Sequence, residues 1–175
     1  GGGAVSDDML QAALDARGLS PLANTPWRVL IGHNLPEAEF TAYRKNAPNG
    51  VTVERARSDF PELLANCALS ISQGGYNTVM ELLAAGTRAV CIPYAGGLES
   101  EQTLRCGLLA EKGALEIVDS DAVTAANVAA AITRAMARPD QFSVPVDMAG
   151  APKTAAMLHS ALNKHRKADF GAETD

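Results

Sequence analysis

The chain has 175 residues, which is enough for one domain with a sizeable core. Apolar residues make up 47% of it and charged residues 20%, and this composition excludes a disordered or collagen-like chain. The net charge of -5 disfavours a nucleic-acid binder, and no apolar run approaches the roughly 20 residues that a membrane span needs.

The chain opens on three glycines that run directly into a helical pattern. Apolar residues recur at helical spacing over 9–14, and Gly18 can end that helix. A glycine turn before a helix is typical of a loop that follows a strand, so Gly1, Gly2 and Gly3 predict a first strand that is missing here. A tag remnant or a flexible terminus is the alternative interpretation of the glycines.

Glycine and proline separate the later elements. Strands are predicted over 28–32, 51–54, 68–72, 89–93 and 115–118. Helices are predicted over 37–46, 76–85, 100–112, 124–137 and 151–165, with a short helix that Ser58 or Asp59 caps. We expect one domain over 1–166 and a polar carboxyl-terminal tail over 167–175.

This alternation predicts the fold class. Strands joined by helices of ten or more residues indicate parallel strands, and therefore a doubly wound, Rossmann-like α/β domain. Short apolar strands without polar alternation fit a sheet that is covered on both faces. Because ligands of such folds bind beyond the carboxyl ends of the strands, we expect the site in the loops that follow them.

The loop after the strand 68–72 has the pattern of an anion site. Gly74 and Gly75 allow backbone N–H groups to approach an anion, and the N-terminus of the following helix adds positive potential. Asn77 and Thr78 add donors, and Glu81 shares their helix face. A carboxylate there can accept two hydrogen bonds from a ribose diol. The alternative is that Glu81 is a solvated surface glutamate, but its position behind a glycine loop disfavours this interpretation.

A second glycine loop follows the strand 89–93 and ends in a polar cluster at a helix start. Glu101 can accept hydrogen bonds from hydroxyls, and Gln102 can both donate and accept. Carboxylates in a first helical turn also suit the helix dipole, which is the alternative account of Glu101. The three cysteines lack a Cys-x-x-Cys spacing and predict no zinc site, and Cys91 is expected to be a core residue.

The part of the chain from about Ser58 to Gly113 resembles a known family. It contains SISQGGYNTVMELLAAGTRAVCIPY, and Glu101, Gln102 and Arg105 follow. This pattern resembles the carboxyl-terminal, donor-binding domain of GT-B glycosyltransferases of the family-28 type, and most of all an uncharacterised group of predicted bacterial glycosyltransferases of that type. The similarity covers most of the chain and is more specific to nucleotide-sugar enzymes than to any one reaction.

The resemblance implies the carboxyl-terminal half of a GT-B enzyme that transfers a hexose-type sugar from a UDP-sugar to an acceptor. It implies no cofactor and no metal. A missing amino-terminal domain would bind the acceptor and supply the catalytic base, so this domain would hold no catalytic residue and would be inactive alone. The expected location is the cytoplasm, with attachment to a membrane through the missing domain left open.

The resemblance also implies roles for single residues. The glycine loops would contact the diphosphate, and Glu81 would hold the ribose hydroxyls. The loop at Ala56 and Arg57 would meet the base through backbone groups, with Phe60 packed nearby. Glu101 and Gln102 would recognise the sugar. The expected donor site comprises Gly1, Gly2, Gly3, Arg57, Phe60, Gln73, Gly74, Gly75, Tyr76, Asn77, Thr78, Glu81, Tyr94, Glu101 and Gln102.

This sequence departs from the family pattern at two places. Tyr76 is bulkier than the small residue that is frequent at its position, and the loop 95–100 has no basic residue for the diphosphate. Both departures affect the prediction of which sugar binds more than the prediction of which nucleotide binds.

Three other functions are alternatives to the transferase. A dehydrogenase is disfavoured, because the segment Leu30 to Asn34 has no acidic residue to hold an adenine ribose. Nucleotide-sugar hydrolases of the pseudaminic-acid pathway carry a similar Gly-Gly-Tyr helix, so hydrolysis stays open. A non-catalytic subunit that binds a nucleotide sugar is the third alternative.

Overall fold

The computed structural model describes residues 7–94, 100–139, 146–147 and 149–171. The chain forms two compact units, Gly1–Val144 and Pro145–Asp175. The three glycines at the start of the sequence lie outside the described residues. The first unit contains the alternating strands and helices, and the second contains one long helix.

Helices and strands alternate in the predicted order. The helices are α1 (Asp7–Ala16), α2 (Glu37–Lys45), α3 (Phe60–Asn66), α4 (Tyr76–Ala85), α5 (Glu101–Glu111), α6 (Ala125–Met136) and α7 (Gly150–Gly171). The strands are β1 (Trp27–Ile31), β2 (Val51–Arg55), β3 (Ser70–Gln73), β4 (Ala89–Ile92) and β5 (Glu116–Ile117). A 3₁₀ turn, Arg17–Leu19, follows α1. The predicted α/β class is confirmed.

The strands are parallel and form two sheets among the described residues. β1 pairs with β2, with Trp27 opposite Val51, and β4 pairs with both β3 and β5. Among the described residues, no strand joins the two sheets.

Helices cover β4 on two faces. All four residues of β4 are buried. Val90 and Ile92 belong to a core cluster with residues of α1 and α6, including the fully buried Val128 and Ile132. Alternate residues of a strand point to opposite faces, so Cys91 faces away from that cluster. A sheet covered on both faces explains why β4 is a continuous apolar run.

Local sequence signals account for several helix ends. Gly86 ends α4 with a φ of 63°, a left-handed conformation that favours glycine. The Thr124 hydroxyl caps α6 by accepting a hydrogen bond from the Asn127 N–H over 3.2 Å. Asp59 stands at the N-cap of α3 but makes no side-chain cap there, because its carboxylate binds Arg57 instead. Asp59, one of the two predicted N-cap residues, is therefore at the N-cap position but caps without a side-chain hydrogen bond.

The second unit differs from the predicted tail in one respect. α7 continues to Gly171, so helix extends beyond the predicted end at residue 165. Asp147 lies before α7, where its carboxylate accepts a hydrogen bond from the Ala149 N–H over 2.9 Å and pairs with Lys153. None of the helices in the described part of the chain has both the length and the apolar character of a membrane span.

Candidate functional site

The predicted site residues follow β2, β3 and β4, at the carboxyl ends of these strands. Gln73 ends β3, and α4 begins at Tyr76 after the two glycines Gly74 and Gly75. Tyr94 follows β4, and Glu101 and Gln102 open α5. Because the paired strands are parallel, the loops after β3 and β4 emerge at the same edge of the sheet. This edge is where ligands bind in doubly wound domains.

The N-terminus of α4 is open to an anion. Gly75 is its N-cap residue, with φ of -60° and ψ of 145°, and it provides no side-chain cap. The first backbone bond of the helix runs from the Val79 N–H to the Gly75 carbonyl over 3.0 Å. The N–H groups before Val79 therefore have no partner within the helix, and they add to the positive end of the helix dipole.

A polar face of α4 adjoins this N-terminus. Asn77 is exposed, and Thr78 and Glu81 are half-buried, whereas Val79 and Leu82 are buried. Within the described part of the chain, the side chains of Asn77, Thr78 and Glu81 have no polar partner. The predicted shared face is therefore observed, and its donors and its carboxylate are available to a ligand.

Gly74 brings the two loops into contact. A Cβ built on Gly74 would lie 2.4 Å from the Cys106 sulfur and 3.5 Å from the Gln102 carbonyl oxygen. No real Cβ approaches other atoms as closely as the first of these distances, so α5 packs against the β3–α4 loop only because residue 74 has no side chain. The first turn of α5 consequently lies beside the N-terminus of α4.

Two predicted sugar-binding side chains are engaged within the β4–α5 region. The Gln102 side-chain oxygen accepts a hydrogen bond from the Tyr94 N–H over 3.1 Å. The Glu101 carboxylate forms an ion pair with Arg105, one helical turn later. Glu101 is 73% exposed in its side chain, so its carboxylate remains accessible from solvent.

Arg105 also lies in this region, and no role for it was predicted from the sequence. Its Nη1 donates to the Gly74 carbonyl over 3.0 Å, and its guanidinium lies 5.2 Å from the centre of the Tyr76 ring. Its side chain is only 15% exposed. The sequence signal that could have identified Arg105 is its spacing of four residues from Glu101, which predicts an ion pair on a helix.

Arg57 and Phe60 lie after β2. The Arg57 guanidinium donates to both carboxylate oxygens of Asp59, over 2.8 and 2.7 Å. These hydrogen bonds hold the pKa of Asp59 below its usual value. Phe60 is half-buried and begins α3, which packs against α4. The Arg57 side chain is thus engaged with Asp59.

Cys91 and Cys106 lie beneath the β3–α4 loop, and both are fully buried. Their mutual hydrogen bond, together with burial, raises the pKa of the Cys91 thiol well above its usual value. Cys91 therefore remains neutral and packs as an apolar residue, which confirms its predicted place in the core. No group of three or more His, Cys, Asp or Glu side chains within residues 7–94, 100–139, 146–147 and 149–171 has the arrangement of a metal site.

The structure thus places most of the predicted site on two adjoining loops. The residues that it brings to this edge are Gln73, Gly74, Gly75, Tyr76, Asn77, Thr78, Glu81, Tyr94, Glu101 and Gln102. Gly1, Gly2 and Gly3 are outside the described residues. The binding roles of all these residues stay predictions.

Comparison with protein families gives a match over nearly the whole chain. The description of the matching family is "Glycosyltransferase family 28 C-terminal domain", and the match covers residues 1–162.

Several curated bacterial proteins are similar to the chain. Two of them are named UDP-N-acetylglucosamine--N-acetylmuramyl-(pentapeptide) pyrophosphoryl-undecaprenol N-acetylglucosamine transferase. The protein from Exiguobacterium sp. (strain ATCC BAA-1283 / AT1b) is 29% identical over 145 residues, which are 82% of this chain and 39% of that protein. The one from Rhodopseudomonas palustris (strain BisB5) is 37% identical over 105 residues, which are 59% of this chain and 28% of that protein. The chain spans well under half the length of these relatives.

Two solved structures share the fold. The spinosyn forosaminyltransferase SpnP superposes with a TM-score of 0.59 at 20% identity, over 78% of this chain and 32% of that chain. MurG from Acinetobacter baumannii superposes with a TM-score of 0.57 at 24% identity, over 78% of this chain and 40% of that chain. Both likenesses concern the arrangement of the strands and helices.

Proposed function

This chain belongs to the family of glycosyltransferase family 28 C-terminal domains, and on that premise we propose that it binds the donor of an enzyme that transfers a hexose-type sugar from a UDP-sugar to an acceptor. The family predicted from the sequence is thereby confirmed. One observation carries the proposal. Asn77, Thr78 and Glu81 present unpaired polar groups, within the described part of the chain, beside the uncapped N-terminus of α4.

The phosphate part of the donor would bind at the N-terminus of α4. The unpaired N–H groups there, together with the Thr78 hydroxyl, can donate to diphosphate oxygens, and the helix dipole favours their negative charge. When the bond to the sugar breaks, the leaving nucleoside diphosphate gains charge. Donors that already point at it stabilise that charge without reorganising. This would be the contribution of the domain to catalysis.

The remaining parts of the donor would bind on either side of the diphosphate. Glu81 lies one helical turn beyond Asn77 and Thr78 and would accept hydrogen bonds from the ribose hydroxyls. Glu101 and Gln102 lie on the adjoining helix and would bind the sugar hydroxyls. The base would meet the loop at Arg57 and Phe60, next to the helix α3 that packs on α4.

The names of the relatives suggest the first donor to test. Two relatives are named as transferases that act on UDP-N-acetylglucosamine, so we propose N-acetylglucosamine as the first candidate sugar. The chain covers 28% and 39% of these two proteins. We place the acceptor site and the catalytic base in an amino-terminal domain, across a cleft from the loops after β3 and β4.

Calorimetry on the complete protein tests the proposal. We expect UDP-N-acetylglucosamine and UDP to bind, and GDP-mannose to bind much more weakly. If neither uridine ligand binds, the proposed function is wrong. Incubation of the donor with the protein in buffer alone separates transfer from hydrolysis. A transferase should consume the donor only slowly without an acceptor, whereas a hydrolase would release UDP and free sugar at its full rate.

A further inference from the structure

Arg105 connects the two loops that form the candidate site. Its Nη1 donates to the Gly74 carbonyl over 3.0 Å, and its Nη2 pairs with the Glu101 carboxylate. The guanidinium also lies 5.2 Å from the centre of the Tyr76 ring. One side chain of α5 thus contacts the carbonyl group before α4, the first residue of α4 and the first residue of its own helix.

The bond to Gly74 orients the backbone of the anion site. No cis peptide bond occurs among the described residues, and in a trans peptide the C=O and N–H groups point in opposite directions. A Gly74 carbonyl that points at Arg105 therefore turns the Gly75 N–H away from Arg105, so the donors that can share an anion with Arg105 are the unpaired N–H groups of the first turn of α4 and not the Gly75 N–H. A Cβ built on Gly75 would meet no described atom within 4 Å, so there is open space beside this residue.

Contacts with the described residues satisfy the charge of Arg105 only in part. A guanidinium has five N–H donors, and the contacts with Gly74 and Glu101 each take one. The side chain is 15% exposed, so few water molecules solvate it, whereas the Glu101 side chain is 73% exposed. The carboxylate can therefore turn to another partner more easily than the guanidinium can.

We propose that Arg105 is the cationic residue of the donor site, and that it shares its charge between Glu101 and the diphosphate of the donor. This inference rests on the proposed function. The loop 95–100 has no basic residue for the diphosphate, and Arg105 supplies one from the second turn of α5. When the sugar hydroxyls engage Glu101, the guanidinium loses a competing carboxylate and binds the diphosphate more strongly. Sugar and diphosphate binding would thus be coupled through one ion pair.

Binding of uridine, UDP and UDP-N-acetylglucosamine to the complete protein tests this inference. Arg105→Gln should weaken UDP binding roughly 10- to 100-fold, the range for loss of a charge-assisted hydrogen bond. Uridine has no phosphate, so its binding should not change. Arg105→Lys keeps the charge but not the planar fork of donors, and we expect it to restore part of the affinity.

Two further measurements separate charge from structure. Arg105→Gln should make the UDP dissociation constant less dependent on salt concentration, because one cation has left the site. Glu101→Gln should tighten UDP binding, since it removes the competing carboxylate, and it should have no such effect in the Arg105→Gln background. A merely structural role of Arg105 would change neither the salt dependence nor this coupling.

The possible failures are distinguishable. If the unaltered protein binds UDP and Arg105→Gln binds it equally well, the role of Arg105 is wrong and the proposed function stands. An equal weakening of uridine and UDP binding in both Arg105→Gln and Arg105→Lys, with unchanged salt dependence, would also overturn the role. If the unaltered protein binds no uridine ligand, both proposals fail.

Discussion

The Cys106 sulfur occupies the space that a side chain on Gly74 would need, 2.4 Å from the position of its Cβ. Gly75, the next residue, has no described atom within 4 Å of a Cβ built in the same way. The two glycines therefore differ in what they do. Gly74 allows α5 to pack against the β3–α4 loop, whereas Gly75 leaves open the side on which we propose that the diphosphate binds.

This difference predicts that alanine has different effects at the two positions. Gly74→Ala should destabilise the protein by about 1–3 kcal/mol, the usual range for overpacking, because the added methyl group meets the Cys106 sulfur. Gly75→Ala should cost less than about 1 kcal/mol, since alanine is only a poorer N-cap residue than glycine. It should nevertheless weaken UDP binding, because its methyl group projects into the proposed phosphate space. Urea denaturation and calorimetry measure the two effects.

A second substitution provides the control for Gly74. Cys106→Ala removes the sulfur, so Gly74→Ala should cost less in that background than in the original chain. Equal destabilisation by alanine at both glycines, with no relief from Cys106→Ala, would contradict the packing argument.

Glu81 is predicted to bind the ribose. Glu81→Ala should remove two charge-assisted hydrogen bonds, each worth roughly 1.5–3 kcal/mol, and so weaken UDP binding strongly. Folding should change little, because Glu81 has no polar partner in the described part of the chain. Glu111→Ala, at the exposed end of α5, is the matched control and should bind UDP normally.

Removal of a ribose hydroxyl from the nucleotide tests the same contact between Glu81 and the ribose. 2′-Deoxy-UDP should bind the original protein more weakly than UDP does, and Glu81→Ala should remove most of that difference. An unchanged preference for UDP in the variant would mean that another group recognises the ribose.

Gln102 and Thr78 are predicted to bind different parts of the donor. Gln102→Ala removes both the oxygen that accepts from the Tyr94 N–H and the amide donor without adding a charge, so it should weaken UDP-N-acetylglucosamine binding and leave UDP binding nearly unchanged. Thr78→Val should weaken the binding of both ligands about equally, because the hydroxyl is proposed to bind phosphate. Calorimetric titration with each ligand gives the comparison. Equal losses for both ligands in the Gln102 variant would assign the sugar to another loop.

The elements that position the site were predictable because glycine and apolar periodicity define them. α4 was predicted over 76–85 and has these bounds, since Gly75 precedes it and Gly86 ends it in a left-handed conformation. The polar face of Asn77, Thr78 and Glu81 followed from helical spacing alone. These signals are local in the chain, and tertiary contacts did not override them.

Contacts between distant elements were not predictable in the same way. The sequence does not show that Cys106 packs on Gly74, 32 positions earlier, or that Arg105 donates to the same residue. Asp59 is the N-cap residue as predicted, but its side chain makes no cap because Arg57, two residues before it, binds the carboxylate. The continuation of α7 to Gly171 was not predicted, because the residues after 165 lack the apolar periodicity that would mark a continuing helix.

The preference among nucleotides tests the central claim most directly. Calorimetry of the complete protein with UDP, ADP, GDP and NAD compares the ligands under one condition, and thermal unfolding checks the ranking. A ligand at 100 times its dissociation constant should stabilise the fold by about 2.7 kcal/mol. The account predicts the tightest binding and the largest stabilisation for UDP. Tighter binding of a purine nucleotide or of NAD would contradict it.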